Sequence, residues 1–265
     1  MSTLASFRLD DRVSVVTGGA RGLGYDIADV LAEAGSDLVI TSRHQEAVDE
    51  AADKFREAHG VQVLPLALDH CDFDQVAAVA QQAFDWQERI DVLVNNAGGG
   101  VGGTPDLFER PPEAITAMIE TNLIGPMYCC REFGRAMVEA GRGSIINIAS
   151  IAGMCGRDRR MYDRTELGQQ PIDYAAAKGG VISMTMDLAG YLTPKGVRVN
   201  AVSPGGFERG QVQAFIDAYS DATPMGRMGR DGVDLKGAIL FLASDASAYV
   251  TGQNLAVDGG FVMWK

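Results

Sequence analysis

The sequence predicts a single doubly wound α/β domain, with helices on both faces of a mostly parallel, seven-stranded sheet. Three observations carry that prediction. Strand-like and helix-like patterns alternate from end to end of the 265 residues, and such alternation implies right-handed crossovers into a parallel sheet. The length suits one large domain better than two. Glycine makes up 32 of the 265 residues, well above the average of about 7%, as a fold with many tight strand-to-helix turns requires.

Each element has its own signal. Val13 to Thr17 is a short apolar run closed by Gly18 and Gly19, the pattern of a buried parallel strand. Leu23 to Ala34 carries apolar residues at helical spacing and stops at Gly35. Strands follow at Leu38 to Thr41, Val61 to Leu68 and Asp91 to Val94, separated by helices at Glu46 to Ala58 and Phe73 to Trp86. One long helix is expected over Glu113 to Glu139, loosened at Gly125 and Pro126. The remaining strands are Ser144 to Ile148, Arg198 to Val202 and Asn254 to Val257, with helices at Tyr174 to Tyr191 and Val233 to Ala243. The least regular stretches, 98–112, 153–171 and 204–232, all follow strands. They therefore gather at the carboxyl edge of the sheet, where open α/β folds bind ligands.

Composition narrows the function classes. The net charge is −12, and an acidic chain repels phosphate backbones, which speaks against a nucleic-acid partner. No stretch is long and apolar enough to span a bilayer, and the first residues carry no signal-peptide pattern. The four cysteines, Cys71, Cys129, Cys130 and Cys155, match no zinc spacing and read as free thiols in a reducing, cytoplasmic compartment. His44, His59 and His70 are scattered, so they are expected at the surface and no metal site is expected.

The first strand-to-helix turn reads Thr17-Gly18-Gly19-Ala20-Arg21-Gly22-Leu23-Gly24. Glycines at 18, 22 and 24 let the backbone turn tightly and approach a diphosphate, which the helix N-terminus then meets with free N–H groups and partial positive charge. This is a dinucleotide-binding, Rossmann-type beginning. The end of the second strand then reports on the adenosine ribose. An acid there favours NAD, and an arginine favours the 2′-phosphate of NADP. Asp37 precedes the strand and Ser42-Arg43 follow it, so NADP(H) is favoured over NAD(H). The other reading of Arg43 is a solvated surface charge.

Further along, Tyr174 and Lys178 stand at i and i+4 on one helical face. A phenol titrates near 10, and a neighbouring ammonium favours its anion, which suits proton exchange with an alcohol or carbonyl oxygen. Ser150 closes the fifth strand, and Asn122 sits inside the long helix, where a buried amide must find partners.

In order, these motifs resemble one family. Thr-Gly-x-x-x-Gly-x-Gly at 17–24 is similar to the cofactor fingerprint of the short-chain dehydrogenases/reductases. Asn95-Asn96-Ala97-Gly98 resembles the next signature of that family. Ser150, Tyr174 and Lys178 fall on its catalytic positions and Asn122 on its helical asparagine. The resemblance runs from about residue 8 to 262. It implies an oxidoreductase that moves a hydride between a nicotinamide and a secondary alcohol or ketone carbon. Tyr174 would be the acid/base. Ser150 would orient the substrate oxygen. Lys178 would tune Tyr174 and hold the nicotinamide ribose, and Asn122 would hold a water in the proton relay. The implied cofactor contacts are Gly18, Arg21, Gly22, Leu23, Gly24, Ser42, Arg43, Asp69, Asn96, Ala97, Gly98, Tyr174, Lys178, Pro204 and Gly205. Asp69 has a second reading, as a helix N-cap. The family also implies a homodimer or homotetramer joined through the long helices.

Two departures from the family pattern point at the substrate. Ser150 and Tyr174 are 24 positions apart, longer than the family's usual spacing. The extra segment carries Arg157, Arg159, Arg160 and Arg164, whose forks suit carboxylates and phosphates unless they pair with Asp158, Asp163 and Glu166. After the sixth strand comes Pro204-Gly205-Gly206-Phe207, and the threonine that most members of the family place a few residues later, in contact with the cofactor, is absent from 206–211. Both features are similar to a subgroup that acts on sugars, sugar acids or sugar nucleotides, so Ser150, Tyr174, Phe207 and the four arginines are the candidate substrate residues. The rival enzyme reading is a reductase of steroid-like or aromatic ketones, with Phe207, Met225, Met228 and Met263 as its pocket. A non-catalytic dinucleotide-binding regulator is the rival from another class. Tyr162, twelve positions after Ser150, is a rival to Tyr174, but Glu166 stands where its lysine would be.

Overall fold

The computed structural model describes residues 2–162 and 168–263. Its elements follow the chain as β1 (Val13–Val16), α1 (Gly22–Glu33), β2 (Asp37–Ser42), α2 (Gln45–His59), β3 (Val63–Ala67), α3 (Phe73–Gln87) and β4 (Val92–Asn95). Then come α4 (Pro112–Ile119), α5 (Gly125–Ala140), β5 (Gly143–Ile148), α6 (Ile172–Leu192) and β6 (Val197–Pro204). The chain closes with β7 (Phe207–Glu208), α7 (Gln213–Asp221), β8 (Gly229–Arg230), α8 (Lys236–Ala243) and β9 (Asn254–Val257).

Seven parallel strands form the main sheet in the order β3-β2-β1-β4-β5-β6-β9. From β1 the chain winds outward to β3, then returns to the other side of β1 at β4. That reversal opens a crevice between the carboxyl ends of β1 and β4, where ligands bind in doubly wound sheets.

Alternate residues of the strands feed two cores. Val16, Leu38, Ile40, Val94 and Ile146 pack with Ile27, Leu31, Phe55 and Ile239 on one face. Val15, Val39, Leu93, Ile145 and Val199 pack with Val76, Phe133, Met137 and Leu192 on the other. Burial on both faces explains why the strands read as continuous apolar runs. Phe55 and Phe133 are fully buried, and emptying either site would cost about 3–5 kcal/mol.

The structure departs from the sequence expectation in two places. The long helix is broken one turn earlier than Gly125-Pro126, by a π turn over Glu120–Ile124. Pro126 has no N–H to offer the carbonyl of Asn122, and the Gly125 N–H reaches back to Glu120 O instead. Second, 204–232 is not irregular: it contains α7 and the two-residue ribbon β7·β8, paired Phe207↔Gly229 and Glu208↔Arg230.

Candidate active site

The crevice between β1 and β4 is the mouth of a cleft of about 1200 Å³. One wall is nearly all backbone. Thr17 Oγ1 accepts the N–H groups of Asn96 and Ala97, each at 3.0 Å. Asn96 Nδ2 donates back to Thr17 O and Gly18 O at 3.0 and 3.2 Å. These bonds tie the ends of β1 and β4 into one surface. Gly18 and Gly22 have φ of +66° and +61°, the left-handed region that glycine enters without strain. A Cβ on Gly24 would collide with Gly18 O and lie 2.5 Å from Asn96 Nδ2. Behind the turn, α1 begins without any side-chain cap, which leaves its first N–H groups to a ligand.

These features fit the dinucleotide that the turn implies, and so does the charge. Among the described residues lining the cleft, Arg21, Arg43, Lys178, Arg157 and Arg209 face a single carboxylate, Asp69, in a chain of net charge −12. At the far end of the cleft, Ser42 and Arg43 close β2, and Ser42 Oγ accepts the His44 N–H at 3.1 Å. Asp37 lies at the opposite end of the strand and accepts Gln62 N at 2.8 Å, out of reach of the cleft. Asp69 lines the cleft and does not cap α3; Asp72 does, accepting Gln75 N at 3.1 Å. Leu23, Ala97, Gly98, Pro204 and Gly205 line the same cleft.

At the cleft floor, β5 delivers Ser150 and α6 delivers Tyr174 and Lys178. Lys178 is buried and its Nζ donates to Ile148 O at 2.8 Å. Burial lowers its pKa to about 8. Nζ lies 5.8 Å from the centre of the Tyr174 ring. Burial raises the Tyr174 phenol, while a hydrogen bond with Ser150 and the charge of Arg157 pull it down. Ser150 Oγ also accepts Ala152 N at 3.1 Å. Such a cluster can hold an alcohol or carbonyl oxygen between two hydroxyls and pass it a proton.

Asn122 sits in the π turn, fully buried. Its amide accepts Gly99 N and donates to Gly99 O, both at 2.9 Å, and donates to Met118 O at 3.1 Å. The side chain is therefore engaged with the loop after β4. Gly98 marks where Asn122 and Lys178 converge: a Cβ there would lie 2.9 Å from Asn122 Oδ1 and 3.8 Å from Lys178 Nζ.

The opposite wall is made of side chains from long connections. Arg157 is half-buried, lines the cleft, and donates to Gln170 O and Gln170 Oε1 at 2.8 Å each. Arg159 is exposed and donates to Gln169 Oε1 at 2.5 Å. Arg160 is exposed and paired with Asp158 at 2.6 Å. Neither Arg159 nor Arg160 lines the cleft, and Arg164 lies outside the described residues. Tyr162 belongs to this wall, its ring 5.3 Å from that of Phe215.

Phe207 does not reach the cleft. It is buried beside Gly229 and, with Met225 and Met263, faces a second depression of about 540 Å³. The short strand β7 turns its side chain inward, so the apolar wall is instead Met161, Phe215, Tyr219, Met228 and Phe261. The surface expectation for the histidines fails at His70. It is buried against Gly125, where a Cβ would collide with its ring, and it bonds Thr121 O at 2.8 Å. Burial lowers its pKa. Asp69, His70 and Cys71 bring their ligand-type atoms within 4.8 Å of one another, but Asp69 Oδ1 already accepts Cys71 N and His70 Nε2 already serves Thr121 O.

Two residues escaped the sequence reading. Arg110, in the loop after β4, is 2% exposed and pairs at 2.6 Å with Asp173, itself 5% exposed. Asp173 also accepts the N–H of Tyr174 at 3.1 Å, so a loop arginine anchors the first turn of the helix that carries the tyrosine. Arg209 reaches from the end of β7 to the glycine turn. The only sequence signal for it is the missing threonine.

Comparison with known proteins agrees with this geometry. A family model described as enoyl-(acyl carrier protein) reductase matches residues 18–262. Galactitol 2-dehydrogenase (L-tagatose-forming) of Cereibacter sphaeroides is 33% identical over 97% of this chain and 98% of its own. The 3-oxoacyl-(acyl-carrier-protein) reductase of Chlamydia trachomatis serovar D is 36% identical over 95% and 98%. The crystal structure of a gluconate 5-dehydrogenase from Burkholderia cenocepacia J2315, in complex with NADP and tartrate, is 34% identical and covers 99% of both chains with a TM-score of 0.87. Among the described residues, no helix is long and apolar enough to cross a membrane. The chain belongs to the short-chain dehydrogenase/reductase family and is an NAD(P)-dependent oxidoreductase acting on alcohol and ketone groups.

Proposed function

We propose that the chain interconverts a secondary alcohol and a ketone on a polar substrate of the sugar or sugar-acid class, with NADP(H) as its preferred cofactor. A bound nicotinamide would supply the hydride in reduction and accept it in oxidation. Tyr174 gives its proton to the carbonyl oxygen in reduction and takes it back in oxidation. Ser150 donates to the same oxygen and fixes its position between the two hydroxyls. Lys178, held by Ile148 O, keeps a cation beside the ring, which favours the phenolate needed for oxidation. Asn122 positions the loop after β4 through Gly99.

The observation that carries the substrate class is Arg157. Among the described residues of the long loop it is the arginine that lines the cleft, and its charge acts to lower the pKa of the Tyr174 phenol. An arginine fork suits a carboxylate or vicinal hydroxyls. The names of the relatives, galactitol and gluconate dehydrogenases, point the same way. The aromatic wall of Phe215, Tyr219 and Phe261 supports the second reading, a bulky apolar ketone. Ser42 and Arg43 at the end of β2, without an acid there, support NADP(H). Homo-oligomerisation belongs to the same reading, since Met127, Met186 and Tyr191 are exposed on α5 and α6.

The test is a panel of polyols, aldonates and steroid ketones, each with NADP(H) and NAD(H), followed by nicotinamide absorbance. Turnover of aldonates or polyols with NADP(H) is expected. Turnover confined to steroid ketones would overturn the polar-substrate reading, and a preference for NAD(H) would overturn the cofactor choice.

A further inference from the structure

We propose that Arg209 is a cofactor-binding residue: it clamps the dinucleotide's diphosphate against the glycine turn, in the place left by the absent threonine. The proposal rests on the family's use of a nicotinamide dinucleotide and adds a contact that the motifs do not supply.

Three observations converge on it. Arg209 follows β7 directly, so the pairing of that strand with β8 aims it. Its guanidinium lies on the turn: a Cβ built on Gly22 would be 2.6 Å from Nη1. Gly22 is also the first residue of α1, whose N-terminus has no side-chain cap, so Nη1 stands beside the N–H groups that would meet a diphosphate. Finally, the arginine is held from behind. Nη2 donates to Asp26 at 3.2 Å and to Asp231. Both carboxylate bonds leave from that one nitrogen. A guanidinium carries five donors in a rigid fork, and fixing one corner turns the others toward the turn and the cleft that Arg209 lines.

The acids are the cradle of the clamp. Asp26 sits on α1 and also accepts the N–H of Gly232 at 3.0 Å, so it joins the cofactor helix to the segment between β7 and α8. An arginine oriented in advance gives up little side-chain freedom when an anion arrives.

The diphosphate is common to NAD and NADP, whereas the 2′-phosphate is not. Dissociation constants for NADP⁺ and NAD⁺, measured by titration calorimetry on the full chain, therefore separate Arg209 from Arg43. Arg209→Gln should weaken both cofactors by the same factor, about tenfold or more, as loss of a charge-assisted hydrogen bond does. Arg209→Lys should recover part of the loss. Asp231→Asn loosens the tether while leaving the guanidinium and its bond to Asp26, and should weaken both cofactors equally but by a smaller factor than Arg209→Gln. Three results would overturn the proposal: unchanged constants in Arg209→Gln, a loss confined to NADP⁺, or equal losses in Arg209→Gln and Asp231→Asn, which would reduce Arg209 to a structural tie. A parent protein that binds neither cofactor would instead refute the dinucleotide reading beneath it.

Discussion

The two walls of the cleft are built on different principles. The cofactor wall is short turns: Thr17, Gly18, Gly24 and Asn96 hold one another by bonds between side chain and main chain and by contacts too close for a Cβ. The loop wall is long connections whose side chains find partners among themselves, as Arg157 does with Gln170 and Tyr162 with Phe215. The first wall leaves no room for a Cβ at Gly24 and, in the proposed function, would meet what every dinucleotide shares. The second is made of loop side chains around Arg157 and Gln170, and in the proposed function it would select the substrate. The same division recurs around α6: Tyr174 and Lys178 are carried by the helix, while Arg157 and Gln170 line the cleft ahead of it.

The largest expected effect lies where the walls meet. Tyr174→Phe keeps the ring and removes the proton donor. Turnover should fall by about 10²–10⁴-fold, with cofactor affinity nearly unchanged. Near-normal turnover would move the role elsewhere, with Tyr162 the first suspect.

Arg110 is the residue that blurs the comparison, because it belongs to a loop yet is buried and saturated like the cofactor wall. Besides Asp173, it donates to Thr104 O at 2.9 Å and Ala114 O at 3.3 Å. Arg110→Met leaves Asp173 buried without its countercharge. Denaturant unfolding should show a loss of about 3–5 kcal/mol. The double variant Arg110→Met/Asp173→Leu should regain much of it. A loss below 1 kcal/mol, within the range of exposed pairs, would show that the pair does not hold the start of α6.

A matched pair of glycines sharpens the contrast. Gly24→Ala forces a methyl into Gly18 O and Asn96, whereas a Cβ on Gly156 in the loop wall meets nothing within 4 Å. Gly24→Ala should lower stability by about 1–3 kcal/mol and weaken both cofactors, while Gly156→Ala should leave melting temperature and cofactor affinity as in the parent. Similar behaviour of the two variants would erase the distinction between the walls.

The smallest effect, and the most selective, belongs to Arg157. Arg157→Ala should raise KM for the best polar substrate about tenfold and leave the cofactor dissociation constant alone. Arg159→Ala and Arg160→Ala, both exposed and away from the cleft, should resemble the parent. Equal behaviour of all three would remove the arginine from substrate binding.

The cofactor wall was also the legible one. Its glycines, the Asn95–Gly98 segment and the order of strands are dictated by close approach and by two-sided burial, and both leave local marks in the sequence. The loop wall left few. Phe207 reads as a pocket residue until β7 is seen to turn it inward, because a two-residue strand has no periodicity to detect. Helix α7 was missed, since its buried face is as short as Phe215 and Tyr219. His70 reads as a surface residue because its burial depends on Gly125, 55 positions later. Arg110 and Arg209 carry no motif at all: their partners, Asp173 and Asp26, are 63 and 183 positions away. The π turn lies between these cases. Pro126 marks a break in the sequence, but the π turn before it and the Asn122–Gly99 bonds it presents appear only in the fold.

The most direct measurement is a crystal structure with NADP⁺ bound. The diphosphate is expected on Gly22 and Leu23, the 2′-phosphate beside Ser42 and Arg43, and the nicotinamide end opening toward Ser150, Tyr174 and Lys178. A dinucleotide bound with its adenine end beside Tyr174, or lying outside the crevice between β1 and β4, would contradict the assignment of the two walls and of the chemistry between them.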